Sequence, residues 1–494
     1  RCAIVTGVQT CALPILPGFK IFSVCLITYL FIPWSLTKEK NQAMNKKILL
    51  YLIIPVFILS IFGFVLPLKE GGEPGDFSYK DFSKPNYCGS CHNDFYQQWT
   101  QAMMSKAYTH HWDEIEYFKL AVPHSEKDPE MEGVHEGCNG CHTPMAYMAD
   151  DMPPPRPEEG SRANEAVSCE VCHLIKGIKG DTAYNHNYII EPGFTKYSSR
   201  KGETSSPEHE IQTTDLHSEA KFCGICHNEK SPYGAWVKST QLEWEEGPYS
   251  DEGVHCQDCH MTEARAKTAK MGATYEDAKL HLFHGAHDPG KLNGVIELRV
   301  HPNTREALMG EPVKFTVALF NQKTGHKFPT GSVEDRIVWL HVEAKDSEGN
   351  VYHLPVDKKG FEGEEYTIAS DAKSYQDMGL PLDIEDFEGV QREDVPNGDR
   401  IFRMPFFDPQ GRMTIMQWNT DSLGVDYRIG PRETKLETYT FEIPYEAAPG
   451  EMTITAVMNY RLLVKPVGEL LDVPEEEYAI HEINRHSTEI TVIP

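Results

Sequence analysis

The chain has 494 residues, enough for two or three domains with cores of their own. Hydrophobic residues at 40 % and charged residues at 24 % lie in the ordinary globular range, which excludes a wholly disordered chain and a polytopic membrane protein. A formal charge of -27, from 47 Lys and Arg against 74 Asp and Glu, repels a phosphate backbone and excludes nucleic acid as a partner.

The first methionine is Met44, and the opening RCAIVTGVQTCALPIL resembles translated library-adapter sequence. Residues 1–43 are therefore expected to be a non-native or upstream extension, and Cys2, Cys11 and Cys25 are set apart from the chemistry. After Lys46 and Lys47 comes an uncharged apolar run of 21 residues, Ile48 to Leu68, against the roughly 20 that a bilayer-spanning helix needs. No small-x-small cleavage pattern precedes Lys69, so residues 44–69 are expected to be an uncleaved membrane anchor rather than a cleaved signal peptide. Lysines before the run place the remainder on the outer side, periplasmic or extracellular.

Residues 75–291 are rich in Cys, His, Pro and Gly, with short helical patterns and no strand-like alternation of any length. This span reads as one mostly helical, loop-rich domain. From residue 293 to 494 the texture changes: VKFTVALF, IVWLHVEA, TYTFEI and MTITAVMNY alternate apolar with polar residues, as half-buried strands do. Met452, Ile454, Ala456, Met458 and Tyr460 are expected on one face, Thr453, Thr455 and Asn459 on the other. Turn signals such as DSEGN at 346–350 separate the runs. The expected fold class is α+β and multidomain, ending in an all-β sandwich that carries an acidic insertion near 360–400.

The chemistry lies in five copies of one pattern. CGSCH, CNGCH, CEVCH, CGICH and CQDCH end at His92, His142, His173, His227 and His260, and they contain Cys88, Cys91, Cys138, Cys141, Cys169, Cys172, Cys223, Cys226, Cys256 and Cys259. Composition alone predicts roughly 0.015 occurrences of C-x-x-C-H in this chain, so five copies are not accident. A thioredoxin-like pair occurs once and needs no histidine. Zinc sites built from two pairs would leave one of five over. Disulfides between cysteines two apart close a trivial loop. Covalent haem uses every part: two thiols form thioethers with the porphyrin vinyls, and the following histidine, on the same turn, meets the iron. Five covalently attached c-type haems are expected. Successive first cysteines are separated by 50, 31, 54 and 33 residues, an alternation that a repeated two-haem unit produces.

Five irons offer ten axial positions, of which the motif histidines fill five. Candidates for the others are His186, His209 and His217 between the third and fourth motifs, and His281, His284 and His287 in HLFHGAH after the fifth. His135 and His255 lie just before motif cysteines, three residues and one residue ahead, and are placed to serve only a neighbouring haem.

The region 87–290 resembles the multihaem cytochromes c related to cytochrome c554, in which a CxxCH precedes a W-x-x-S-x-H helix and a GV-x-C-x-D-CHM motif follows. Here the two read CHNDFYQQWTQAMMSKA and GVHCQDCHM. Aligned on Trp99, the resemblance puts Met104 where that family has a distal histidine, with Phe95, Trp99 and Met103 on a packing stripe. A methionine ligand raises a haem potential; His110 or His111 is the competing source. Locally, NQKTGHKFPTG at 321–331 is a Gly and Pro-rich turn between strands. It also resembles a segment that follows the haem region in large secreted multihaem cytochromes with a C-terminal β-sandwich, which implies that this turn presents His326 to an iron.

If every iron is six-coordinate, the protein is an electron carrier in a respiratory or extracellular chain, with donor and acceptor proteins as its partners. The alternative is a multihaem oxidoreductase acting on a small nitrogen or sulfur compound at one five-coordinate haem, with no catalytic residue identified. Assembly into a homo-oligomer or a larger cytochrome complex is a third expectation.

Overall fold

The computed structural model describes residues 72–201, 206–357, 395–396 and 398–494. The extension at 1–43, the apolar run at 48–68 and most of the acidic insertion lie outside the described residues. No helix among the described residues is long and apolar enough to cross a membrane.

Each C-x-x-C-H closes or follows a short helix: α1 (Pro85–Gly89), α2 (Val134–His142), α3 (Cys169–Leu174), α4 (Ala220–His227) and, beyond α5 (Thr240–Glu245), α6 (Cys256–His260). Local chemistry sets their ends. Pro85 opens α1, and the Asp258 carboxylate accepts the His255 amide at 2.9 Å to begin α6. Directly after the histidines, Thr143, Asn228 and Met261 leave helical geometry at φ -143, -125 and -127. Helices this short do not hold in water, so packing must fix them.

The helix expected through W-x-x-S-x-H stops early. It spans Asn93–Trp99, and Ala102, extended at ψ 146, separates it from a 3-10 turn at Met103–Lys106. The helical stripe is thus interrupted before Met103. A second difference is that the haem-side region does contain strands: Ile175–Ile178 with Tyr188–Ile190, Thr195–Ser198 with Glu210–Thr213, Asn228–Lys230 with Trp236–Ser239, and Glu263–Lys267 with Thr274–Lys279. They are three to six residues long, too short for a period of two to stand out, and two of them start immediately after motif helices.

Residues 296–493 form the β-sandwich. One sheet is β3 (Pro312–Asn321) between β1 (Ile296–Pro302) and β7 (Thr434–Glu442). The other has the order β2 (Glu306–Leu308), β9 (His481–Ile493), β8 (Gly450–Arg461), β4 (Ile337–Lys345), β5 (Val351–His353), with β6 (Arg400–Phe402) also on β4. Leu298, Val317, Leu340, Val342, Ile454 and Met458 meet between the sheets in one apolar core. As the alternation predicts, Met452, Ile454, Ala456, Met458 and Tyr460 all face inward. The outer face is covered in part as well: Ile337 and Trp339 pack with Trp418, Leu463, Leu120 and Val134, so β4 alternates poorly because both its faces are buried. The same cluster joins the helical region to the sandwich, and residues 69–494 are one compact unit.

Candidate functional site

All ten motif cysteines and all five motif histidines line one continuous cavity of about 3260 Å³. Pockets for single small ligands run to about 300–1,000 Å³, so this space is built for several groups. None of the ten thiols is in a disulfide. Thiols of different motifs come within hydrogen-bonding reach: Cys88 with Cys169, Cys141 with Cys226, Cys223 with Cys256. First meets third, second meets fourth, and fourth meets fifth, so the thiols of all five motifs are linked in neighbouring pairs. In CNGCH a glycine is required, because a Cβ on Gly140 would stand 2.3 Å from Cγ of His186.

Four of the motif imidazoles are held alike. Nδ1 of His92 faces the carbonyl of Thr268, His142 that of Ala107 at 2.7 Å, His173 that of Tyr197 at 2.8 Å and His260 that of His284 at 3.1 Å. An N–H donated from Nδ1 fixes the tautomer and leaves Nε2 as a lone-pair donor. Burial pushes His173 and His260 below their ordinary value and His227 down to about 4. The rings of His173, His227 and His260 therefore favour the neutral form, the one that binds a metal.

Second imidazoles stand opposite three of them. Ring centres are 6.1 Å apart for His92 and His209, 6.5 Å for His260 and His326, and 6.3 Å from His173 to both His281 and His217. Two imidazoles bonded to opposite sides of one metal at about 2 Å each place their ring centres roughly 6 Å apart. His209, His281 and His326 repeat the motif arrangement, with Nδ1 on the carbonyls of Glu210 at 3.2 Å, Lys279 at 3.0 Å and Lys327 at 2.9 Å. His217 is turned the other way, with Nε2 on the Cys172 carbonyl at 3.0 Å. Burial pushes His281 down to about 4 and lowers His326.

The remaining candidates are placed differently. Met104 and Met103 line the cavity, as do Phe95 and Trp99, and the Trp99 indole donates to the Val167 carbonyl at 2.9 Å. His186 packs edge-on to Tyr147 with ring centres 4.8 Å apart, behind the second motif. His284 binds Asp288 at 3.0 Å and offers its backbone carbonyl to His260. His287 meets His110 with ring centres 5.0 Å apart. His110 binds Glu477 at 3.1 Å, and the side chain of His111 lies outside what is described. His135 uses both ring nitrogens on Tyr117 and Ser125, each at 2.9 Å, which makes it a structural residue. His255 accepts the Ala220 amide at 3.1 Å, capping α4.

The brace behind His326 was not foreseen from sequence. Buried Asn321 donates to the His326 carbonyl at 3.3 Å and to that of Ile429 at 3.1 Å, and Thr324 donates to the His326 carbonyl at 2.7 Å. Glu243 on α5 then accepts from the Lys327 amide at 3.2 Å, the Thr330 hydroxyl at 2.7 Å and the Arg428 guanidinium at 2.6 Å. Asn-x-x-Thr at the head of the turn was the one available signal.

This donor set, ten clustered thiols with oriented imidazoles, fits covalently held haem. Residues 87–174 match the family model for cytochrome c554 and c-prime. The chain is a multihaem c-type cytochrome related to the cytochrome c554 family, with a C-terminal β-sandwich domain. Among solved structures it is similar to a penta-heme cytochrome c552 from Thermochromatium tepidum, at 19 % identity over 83 % of this chain and 99 % of that one, with a TM-score of 0.54. That likeness shows the fold. The CARDB domain of a Pyrococcus furiosus protein aligns with 41 % of this chain and 91 % of its own length at 11 % identity, but its TM-score of 0.17 carries no argument. A search of curated proteins finds no match.

Proposed function

We propose that the protein carries electrons through five covalently attached c-type haems, in a respiratory or extracellular electron-transfer chain outside the cytoplasm. The motif cysteine pairs would hold the porphyrins, and His92, His142, His173, His227 and His260 would supply the first axial ligands. The observation that carries the reading is the facing of His92, His173 and His260 by second imidazoles at 6.1–6.5 Å, since an iron filled on both sides exchanges electrons and leaves no place for substrate. Bound haem supplies reversible one-electron chemistry. The chain's own residues orient the imidazoles of His92, His142, His173 and His260 through backbone carbonyls. The helical part, 75–291, would hold the haems, and the sandwich, 293–494, would close over them and contribute His326.

Opposite His142 and His227 no second imidazole stands at such a separation among the described residues, which makes these the places where the alternative, reduction or oxidation of a small nitrogen or sulfur compound, would occur. The test is a haem count by pyridine haemochromogen and intact mass, with ferric EPR. Five haems per chain are expected, with low-spin iron at the three sites of His92, His173 and His260. Fewer than five overturns the count, and a high-spin fraction that binds cyanide or nitrite favours catalysis.

A further inference from the structure

A second constellation lies on the outer face of the sandwich, made by three neighbouring strands. His341 and Glu343 are two apart on β4 and so point the same way, and His353 on β5 pairs directly with Glu343. Asp399 comes one residue beyond the Leu340–Arg400 pair that joins β4 to β6. The two rings stack nearly parallel, 5.3 Å between centres at 10°. Both address the same buried carboxylate: His341 Nδ1 lies 2.9 Å from Oδ2 of Asp399, and His353 Nε2 lies 2.8 Å from its Oδ1. Behind His341, its Nε2 faces Oε2 of Glu343 at 3.8 Å.

The backbone is shaped to allow this. Gly398 takes φ +96, and a Cβ there would stand 2.5 Å from Cβ of Pro355, so only glycine lets the chain bring Asp399 under the two rings. The carboxylate is fully buried while His341 and His353 are 25 % and 34 % exposed, so the pocket has a floor and an open entrance.

We propose that His341, His353 and Asp399 form a site for a divalent cation of the zinc class. One ligand atom from each residue lies within 4.8 Å of the others, a cluster that a single ion can draw together. Two imidazoles select zinc-like metals over calcium or magnesium, which take oxygen ligands. Three protein ligands leave a fourth position for water on the exposed side. Glu343 is placed as the outer carboxylate that takes the other ring N–H of His341, the partner that metal-bound histidines ordinarily have. Asp399 and Glu343 together also balance the two charges of the ion. This site is independent of the haem cavity and of the function proposed for it.

The experiment is a calorimetric titration of the haem-loaded protein, stripped of loosely held metal with a chelator, using Zn²⁺ alone as probe. One saturable Zn²⁺ per chain is expected, with release of protons on binding. The half-exposed His353→Ala should abolish it with an unchanged haem spectrum, and Glu343→Gln should weaken it roughly 10–100-fold. Zn²⁺ should raise the Tm of the parent and not of His353→Ala. The proposal is overturned if the parent shows no saturable site, or if the double variant His341→Ala/His353→Ala binds with unchanged stoichiometry and affinity.

Discussion

Arg428 and Glu243 meet at 2.6 Å, 185 residues apart in sequence, with their side chains only 2 % and 3 % exposed. Glu243 belongs to α5 in the helical region and Arg428 to the sandwich, so the pair joins the two parts of the chain at the turn that carries His326. Two charges desolvated together gain little over an apolar pair, but removing one partner leaves the other buried and uncompensated. Arg428→Met is therefore expected to destabilise the protein by about 3–5 kcal/mol, measured by denaturant unfolding, and to perturb the haem spectrum through His326. Because Glu243 also accepts from Lys327 and Thr330 and Arg428 also binds Asp426, Arg428→Met combined with Glu243→Leu should cost less than the sum of the two single variants; strictly additive losses would refute the coupling.

A second prediction separates the two imidazoles that stand 6.3 Å from His173. His281 has Nδ1 on a backbone carbonyl and Nε2 free for iron, while His217 has Nε2 on the Cys172 carbonyl. His281→Ala should convert one ferric haem to high spin in EPR and open it to one equivalent of cyanide. His217→Ala should leave the EPR spectrum low-spin. His209→Ala and His326→Ala should each behave as His281→Ala does, one haem at a time.

Met104 is the third case. It lines the cavity where the resemblance to the cytochrome c554 family expects a histidine. If it ligates iron, the parent shows a near-infrared charge-transfer band of His/Met coordination, and Met104→Ala abolishes it with a fall in one haem potential. A parent without that band sinks the assignment.

Much of this site was legible because it is written locally. Thioether attachment needs two thiols and a histidine within one turn, so C-x-x-C-H survives in any fold, and MTITAVMNY shows its inward face because one side of β8 packs on the core. What was illegible depends on distance in the chain or on groups that carry no residue identity. The carbonyls of Ala107, Tyr197 and Lys279 that orient His142, His173 and His281 could belong to any residue. Leading histidines looked like ligands, yet His135 is consumed by Tyr117 and Ser125, partners 18 and 10 residues away. The Glu243–Arg428 brace and the His341–His353–Asp399 cluster bring together residues scattered through otherwise ordinary strands and turns.

The brace also predicts an acid limit to stability. Burial alone would raise the carboxyl of Asp426, but the Arg428 guanidinium and the Lys327 ammonium, at 2.8 Å each, hold it well below its ordinary 3.8. A carboxylate whose folded value is depressed adds stability that is complete above the unfolded value and is lost as pH falls through the folded one. The contribution of Asp426 should thus be constant at neutral pH and decline below about pH 4. Because acid also detaches histidine from iron, the informative quantity is the difference between parent and Asp426→Asn. Unfolding midpoints measured from pH 7 to pH 3 should show the variant less stable by a fixed amount down to about pH 4, with the gap narrowing below it. A gap that widens on acidification would mean that Asp426 is not held ionised by Arg428 and Lys327.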